Sequence, residues 1–266
     1  MSRLYYGDHG TGNPILCIHG TSGSAMTWVG ASEALSELGR VILYDRRGSA
    51  RSARPDPDTT SVAQQVEVAV ALLEALDVSP AIVIGRNYGG AVALQLALRR
   101  PTLVSALVLL EAPVFGLDPA MDAYDDVLLQ AVEAAAAKDV SLVAETFLRH
   151  VLGDAAWESF PSDVRAIFSD NSPAVLAEVR GPGLEASAGD LARIDVPVLL
   201  VAAEESPPEF RRLTELTAAA IPAARTVLVG GGHRIDPAGP EVLQFITAVL
   251  AGQQTTSDAT EAVRAP

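Results

Sequence analysis

The chain of 266 residues contains little cysteine and little positive charge. Cys17 is the single cysteine, so an internal disulfide is excluded, and its place in an apolar run predicts a buried, inert thiol. Lys138 is the single lysine, and 19 basic residues stand against 33 acidic ones, which gives a formal net charge of -14. Such a surface repels nucleic acid and anionic membranes. We therefore expect a small-molecule substrate, with neither nucleic acid nor a membrane as a partner.

Long hydrophobic runs are also missing. No uninterrupted apolar run approaches the length of a membrane-spanning helix, and the opening MSRLYYG lacks the apolar segment of a signal peptide. These absences predict a soluble, cytoplasmic protein. With 49% hydrophobic and 20% charged residues, the composition is that of a globular protein, and the length suits one large α/β domain with an insertion.

Short runs rich in Val, Ile and Leu alternate with longer segments of helical periodicity. Such runs are typical of parallel strands that are buried on both faces of a sheet. The expected strands cover residues 15–18, 41–44, 81–84, 106–110, 198–202 and 226–229, and the expected helices cover 32–38, 61–76, 90–100, 208–220 and 240–250. The pattern predicts an α/β protein with a mostly parallel, doubly wound sheet and right-handed crossovers.

The strand signal stops between residues 113 and 191, where helical patterns replace it. Because this block stands between two sheet strands, it predicts a helical cap inserted over the sheet. The expected organisation is a core at 1–112 and 192–251, a cap at 113–191 and a flexible polar tail at 252–266. Only residues 4–6 are available for an opening strand, so the expectation is that the first sheet strand is missing.

The most informative motif is GRNYGG at residues 85–90, between an expected strand and an expected helix. This is the context of the GxSxG nucleophile elbow, in which a sharp strand-to-helix turn exposes a nucleophile above the sheet. Here Asn87 stands at the nucleophile position. A carboxamide cannot attack a carbonyl as a Ser, Cys or Asp side chain can. The turn is thus intact, whereas the usual nucleophile is absent.

A second motif, HGTSG at residues 19–23, follows the first strong strand. Backbone amides on such a turn, together with the amide after the elbow residue, can bind a developing oxyanion. We predict the N–H groups of Thr21 and Tyr88 as this pair, and we place His19 with them among the oxyanion or substrate-binding residues.

A catalytic histidine is expected on a loop at the carboxyl end of a strand, after the elbow in chain order. Of the four histidines only His233, in GGGH at residues 230–233, meets this condition. Two carboxylates could orient it. Glu205 follows one strand, but the usual position for an Asp there holds Ser206, whereas Glu111 stands directly at the end of an earlier strand. We favour Glu111 and keep Glu205 as the alternative.

From Gly12 to Leu250 the chain resembles the α/β-hydrolase superfamily. The resemblance rests on the HGxxG turn with Thr21, on DRRG at residues 45–48, on the elbow and on the closing GGH. The segments after Glu111 and Glu205 are similar to a bacterial subgroup of small hydrolases whose triad acid follows the earlier strand. Two residues depart from the family pattern: Asn87 replaces the nucleophile, and Arg86 stands where His or a small residue is common.

Three functions are compatible with these residues. The favoured one is noncovalent acid–base catalysis, of lyase, isomerase or cyclase type, on a small apolar carbonyl compound. The second is an ester, lactone, epoxide or halide hydrolase whose Ser or Asp nucleophile was replaced by Asn. The third is a noncatalytic ligand-binding protein. No metal and no other cofactor are expected, and the aromatic residues of the cap suggest a sizeable apolar ligand.

Overall fold

The computed structural model describes residues 3–53, 60–184 and 186–264. Over these residues the chain forms a seven-stranded sheet with strand order β1-β3-β2-β4-β5-β6-β7. The strands are β1 Tyr6–His9, β2 Pro14–Ile18, β3 Arg40–Tyr44, β4 Ala81–Arg86, β5 Val104–Leu110, β6 Val198–Ala203 and β7 Ala224–Val229. All neighbouring pairs are parallel except β1 with β3. The α/β class and the mostly parallel sheet are confirmed.

Helices cover both faces of the sheet because alternate residues of each strand point to opposite sides. The helices are α1 Val29–Ser36, α2 Val62–Ala75, α3 Tyr88–Arg99, α4 Pro119–Ala136, α5 Val143–Leu152, α6 Asp154–Ser159, α7 Ser162–Asp170, α8 Ser172–Arg180, α9 Ala188–Leu191, α10 Pro208–Ala220 and α11 Pro240–Arg264. On one face Leu16 and Val83 pack with α2 and α3. On the other, Ile15 and Ile84 pack with α1 and α11. The sheet is therefore doubly wound.

The insertion between β5 and β6 is helical, as expected. Helices α4 to α9 fill it, and they have a small core of their own, in which Val132, Phe147, Trp157 and Val175 are buried. Phe210 of α10 joins this cluster and links it to the rest of the chain. We call the helices α4 to α9 the cap.

The buried thiol of Cys17, in strand β2, also agrees with expectation.

The structure differs from expectation at both ends. Residues 6–9 form an antiparallel edge strand with β3, so an opening strand is present, and it begins two residues later than the segment considered for it. Residues 252–264 continue α11 as helix instead of forming an irregular tail. Gln, Ala, Glu and Arg in this segment are good helix formers, which outweighs its polar composition. Within the described residues, no helix is long and apolar enough to cross a membrane.

Candidate active site

The strand-to-helix turn at Asn87 brings three backbone segments into close contact. Asn87 has φ +46° and ψ -123°, and α3 begins at the next residue. A Cβ atom on Gly89 would lie 2.1 Å from the carbonyl oxygen of Ile18, so only glycine fits there. The Asn87 N–H donates to the Leu110 carbonyl over 2.9 Å, which ties the turn to the neighbouring strand. These contacts hold the Asn87 side chain above the sheet.

His233 lies on the loop after β7 and contacts both expected partners. Its Nδ1 is hydrogen-bonded to Oε2 of Glu111, and its Nε2 lies 3.3 Å from Nδ2 of Asn87. Because an amide NH2 group can only donate, Nε2 accepts this hydrogen bond and the imidazole proton sits on Nδ1. The ring also packs against Phe210, with 4.3 Å between ring centroids. These contacts fix the orientation of the His233 ring.

Glu111 is the carboxylate that the structure brings to His233. It stands directly after β5, is almost fully buried, and accepts hydrogen bonds from the Ala203 N–H at 2.9 Å and the Ser206 hydroxyl at 2.8 Å. Glu205 is exposed, and its backbone N–H donates to the Gly231 carbonyl. Ser206, which replaces the usual Asp, therefore supports the carboxylate instead of supplying one. Sequence reasoning missed this role, although the unusual Ser was visible.

The segment after β2 approaches the elbow closely. A Cβ atom on Gly20 would lie 3.1 Å from Cβ of Asn87. Thr21 and Asn87 line the same two cavities, and Tyr88 opens helix α3 beside them. The assignment of the Thr21 and Tyr88 amides as oxyanion donors stays a prediction.

The structure corrects the placement of His19 among the substrate-binding residues. Its side chain is fully buried and lines neither cavity. Nε2 accepts the Arg46 N–H at 2.9 Å, and Nδ1 donates to the Gly20 carbonyl at 2.8 Å. Burial, reinforced by the Arg46 charge, lowers the pKa of His19 well below its usual value. His19 therefore stabilises the loops beneath the site as a neutral ring.

Arg46 connects these loops to the cap. Its guanidinium donates to the carbonyls of His19 and Gly20 at 2.9 and 3.2 Å, and it forms a 2.7 Å ion pair with Glu178 of α8. Both side chains of the pair are almost completely buried. The DRRG motif thus has a structural role that its spacing alone did not reveal.

Two cavities meet at Thr21 and Asn87, between the carboxyl ends of the strands and the cap. The arginine cavity has a volume of about 290 Å³, contains His233, Arg86 and Arg234, and is walled by Phe147 and other apolar cap residues. The tyrosine cavity has a volume of about 80 Å³ and is lined by Tyr88, Tyr124, Asp125, Glu178 and apolar side chains. In the described part of the chain, no group of three His, Cys, Asp or Glu could hold a metal ion.

A model of the α/β-hydrolase fold family matches residues 13–235. The chain belongs to the α/β-hydrolase family. Among solved structures, the α/β-hydrolase fold recurs in a hydrolase from Pseudomonas aeruginosa PA01, at 26% identity and a TM-score of 0.71 over 93% of this chain and 94% of that one. MenH from Staphylococcus aureus superposes with a TM-score of 0.77 over 96% of this chain and 100% of that one, and its 20% identity shows the fold alone.

Relatives with assigned activities match over a shorter stretch. This α/β-hydrolase is 39% identical over 106 residues to RutD of Azorhizobium caulinodans, provisionally named as a carbamate hydrolase; the match covers 40% of each chain. It is 36% identical over 106 residues to the 2-hydroxymuconate semialdehyde hydrolase of Pseudomonas sp. strain CF600, covering 39% of this chain and 38% of the relative. The match thus spans about two fifths of the length of these curated relatives.

Proposed function

We propose that this α/β-hydrolase is an enzyme that acts on a small, largely apolar carbonyl compound by noncovalent acid–base catalysis. The observation that carries the proposal is the contact of Asn87 Nδ2 with His233 Nε2 over 3.3 Å. Glu111 orients the histidine, yet the amide that the histidine faces is too weakly nucleophilic to attack a carbonyl carbon. The geometry therefore favours a base that acts on the substrate itself.

In the proposed mechanism the substrate carbonyl oxygen binds the N–H groups of Thr21 and Tyr88. The Asn87 amide turns from His233 to the substrate and fixes its orientation by hydrogen bonding. His233 Nε2 then removes a proton from the carbon beside the carbonyl, while the two amides stabilise the enolate oxygen. Glu111 stabilises the resulting imidazolium. Return of the proton to another carbon gives an isomerase, and its delivery to a leaving group gives a lyase.

A hydrolase that has lost its nucleophile is the second candidate. The names of two relatives, a carbamate hydrolase and a semialdehyde hydrolase, favour this function. Such an ancestor would have used Ser or Asp at position 87. A noncatalytic binding protein is a weaker third candidate, because an oriented His–Glu pair is not needed for ligand binding alone.

Substitutions at residues 87 and 233 separate these candidates. For an acid–base enzyme, His233→Ala should reduce turnover about 10²-fold to 10⁴-fold, the usual contribution of a general base. Asn87→Ser should not increase that turnover, because the hydroxyl replaces a positioning amide. The measurement is a rate assay over a panel of carbonyl compounds and chromogenic short esters, with a fluorophosphonate as a probe for a covalent adduct.

The parent protein should show neither a burst with esters nor a mass adduct at Asn87. If Asn87→Ser or Asn87→Asp creates hydrolysis while the parent is inactive on every carbonyl compound, the first proposal is wrong and the hydrolase ancestry is correct. If the parent itself is labelled at Asn87, noncovalent catalysis is excluded.

A further inference from the structure

The arginine cavity carries two positive charges next to the proposed catalytic residues. Arg86 precedes Asn87 at the end of β4, and Arg234 follows His233. Both line the cavity that contains Asn87 and His233, whose described lining residues include no acidic side chain. This arrangement is unexpected in a protein with a formal net charge of -14.

Neither arginine forms an ion pair with a described carboxylate. Within the described residues, no carboxylate lies within ion-pair distance of Arg86 or Arg234, whereas many other arginines are paired. One Arg86 nitrogen donates to the Ile235 carbonyl, and its buried Nε has no hydrogen-bond partner in the described part of the chain. Burial and the nearby Arg234 charge lower the pKa of Arg86 to about 10, and the Asp236 carboxylate opposes this shift only in part. Two arginines that line one cavity, with neither of them in an ion pair, point to an anion that binds between them.

The rest of the cavity defines the body of that ligand. The Arg234 guanidinium lies over the Phe160 ring of the cap, 5.0 Å from its centroid, and Arg86 lies over Trp28 at 5.4 Å. Apolar cap residues line the same cavity: Phe147, Leu148, Val151, Leu152, Val164 and Phe168. The cavity therefore suits an apolar group that ends in a negative charge.

We propose that Arg86 and Arg234 bind an anionic oxygen group of the substrate, a carboxylate or a phosphate, while its apolar body lies against the cap. The inference rests on the proposed function, since it assigns one end of the substrate whose carbonyl reaches His233. Arg86 and Arg234 are specificity residues in this scheme. The unusual Arg86 at the elbow is thereby explained.

The test is equilibrium binding by calorimetry with three matched probes: phenylacetate, phenylacetamide and phenyl phosphate. Phenylacetate should bind at least about tenfold more tightly than the amide, the size expected for a hydrogen bond to a charged group. Arg86→Gln and Arg234→Gln should each remove most of this preference. A comparison of phenyl phosphate with phenylacetate distinguishes the two anionic groups. The probe that binds more tightly shows whether the site prefers a phosphate or a carboxylate.

Controls separate charge from structure. Arg86→Lys retains the charge and should keep most of the preference, whereas a merely structural Arg86 would be disrupted by both substitutions. Arg225→Gln, on the exposed side of β7, makes the same change in net charge and should leave the preference intact. Arg234 is exposed, so its substitution tests the proposal even if Arg86→Gln fails to fold.

Equal binding of phenylacetate and phenylacetamide to the parent would overturn the proposal, as would an undiminished preference in folded Arg86→Gln and Arg234→Gln. Calorimetry needs no turnover, so a failure of the catalytic proposal leaves this measurement unaffected. Conversely, the absence of an anion preference in a parent protein that is catalytically active would refute the arginine site alone.

Discussion

Asn87 and Glu111 both have left-handed backbone conformations, with φ of +46° and +48°. Non-glycine residues rarely adopt such angles, and each costs about 1–3 kcal/mol unless the surroundings enforce it. Here the enforcement is visible: the Asn87 N–H donates to Leu110, and the Glu111 N–H donates to Val201. Strain at these two positions aims the amide and the carboxylate at His233 from neighbouring strands.

Ser206 provides a test of the carboxylate arrangement at the scale of single residues. Its hydroxyl lies 2.8 Å from Glu111 Oε2, and both side chains are almost completely buried. Ser206→Asp restores the usual family residue but places two carboxylates where they cannot both ionise. We expect the free energy of unfolding to fall by about 3 kcal/mol or more at neutral pH, as for an uncompensated buried charge. Urea denaturation measures the change.

Adding Glu111→Gln to Ser206→Asp should recover much of this stability, because one of the two charges is removed. Ser206→Ala is the control without a second carboxylate. It should lower the free energy of unfolding only by the contribution of the lost hydrogen bond. If Ser206→Asp is as stable as Ser206→Ala, the two side chains do not share a buried site.

One buried ion pair joins the cap to the core. Glu178 of α8 is the partner of Arg46, whose guanidinium also binds the His19 and Gly20 carbonyls. Glu178→Gln leaves the Arg46 charge buried and unpaired, which should destabilise the protein by about 3–5 kcal/mol. Denaturant unfolding followed by tryptophan fluorescence checks this, because Trp157 lies in the cap core.

Glu133→Gln is the matched control within the cap. Glu133 pairs with Arg180 at 2.6 Å, but both side chains are partly exposed. The substitution should therefore lower the free energy of unfolding by less than about 1 kcal/mol. Equal effects of Glu178→Gln and Glu133→Gln would contradict the assignment. The double variant Arg46→Met with Glu178→Leu should be far less destabilised than Glu178→Gln, since no charge is left buried.

The sheet could be predicted from sequence because apolar runs directly reflect burial on both faces. Each expected strand lies within an observed one, and the ends differ where polar or small residues such as Arg86 and Ala203 continue the pairing. The helix at 252–264 escaped prediction because polar composition was weighed above helix propensity.

The positions of Asn87, Glu111 and His233 were also predictable, because the carboxyl ends of parallel strands meet at one edge of the sheet. His19 stands at the same edge, yet its ring is turned toward the Arg46 N–H. The spacing of residues along the sequence does not predict this side-chain orientation. Nor does it reveal the partner of Arg46, because Glu178 lies in a helix of the distant cap.

At the scale of the whole molecule, buried neutral histidine makes folding depend on pH. Burial lowers the pKa of His19 in the folded protein, whereas its pKa in the unfolded chain is the ordinary value of about 6.5. Above that pH both states are neutral at this residue. As the pH falls below it, only the unfolded state takes up a proton, so the free energy of unfolding decreases by up to about 1.4 kcal/mol per pH unit. Stability should therefore fall from about pH 6.5 downward.

His19→Gln keeps a side chain that can accept the Arg46 N–H but removes the titrating group. It should be less stable than the parent at pH 8, yet its free energy of unfolding should change less between pH 7 and pH 5.5. The matched control is His9→Gln, which makes the same substitution at an exposed residue of the edge strand β1. Chemical denaturation at half-unit pH steps gives both profiles. Parallel profiles for the parent and His19→Gln would mean that His19 does not carry the acid sensitivity, and that the two loops it joins tolerate a charged ring.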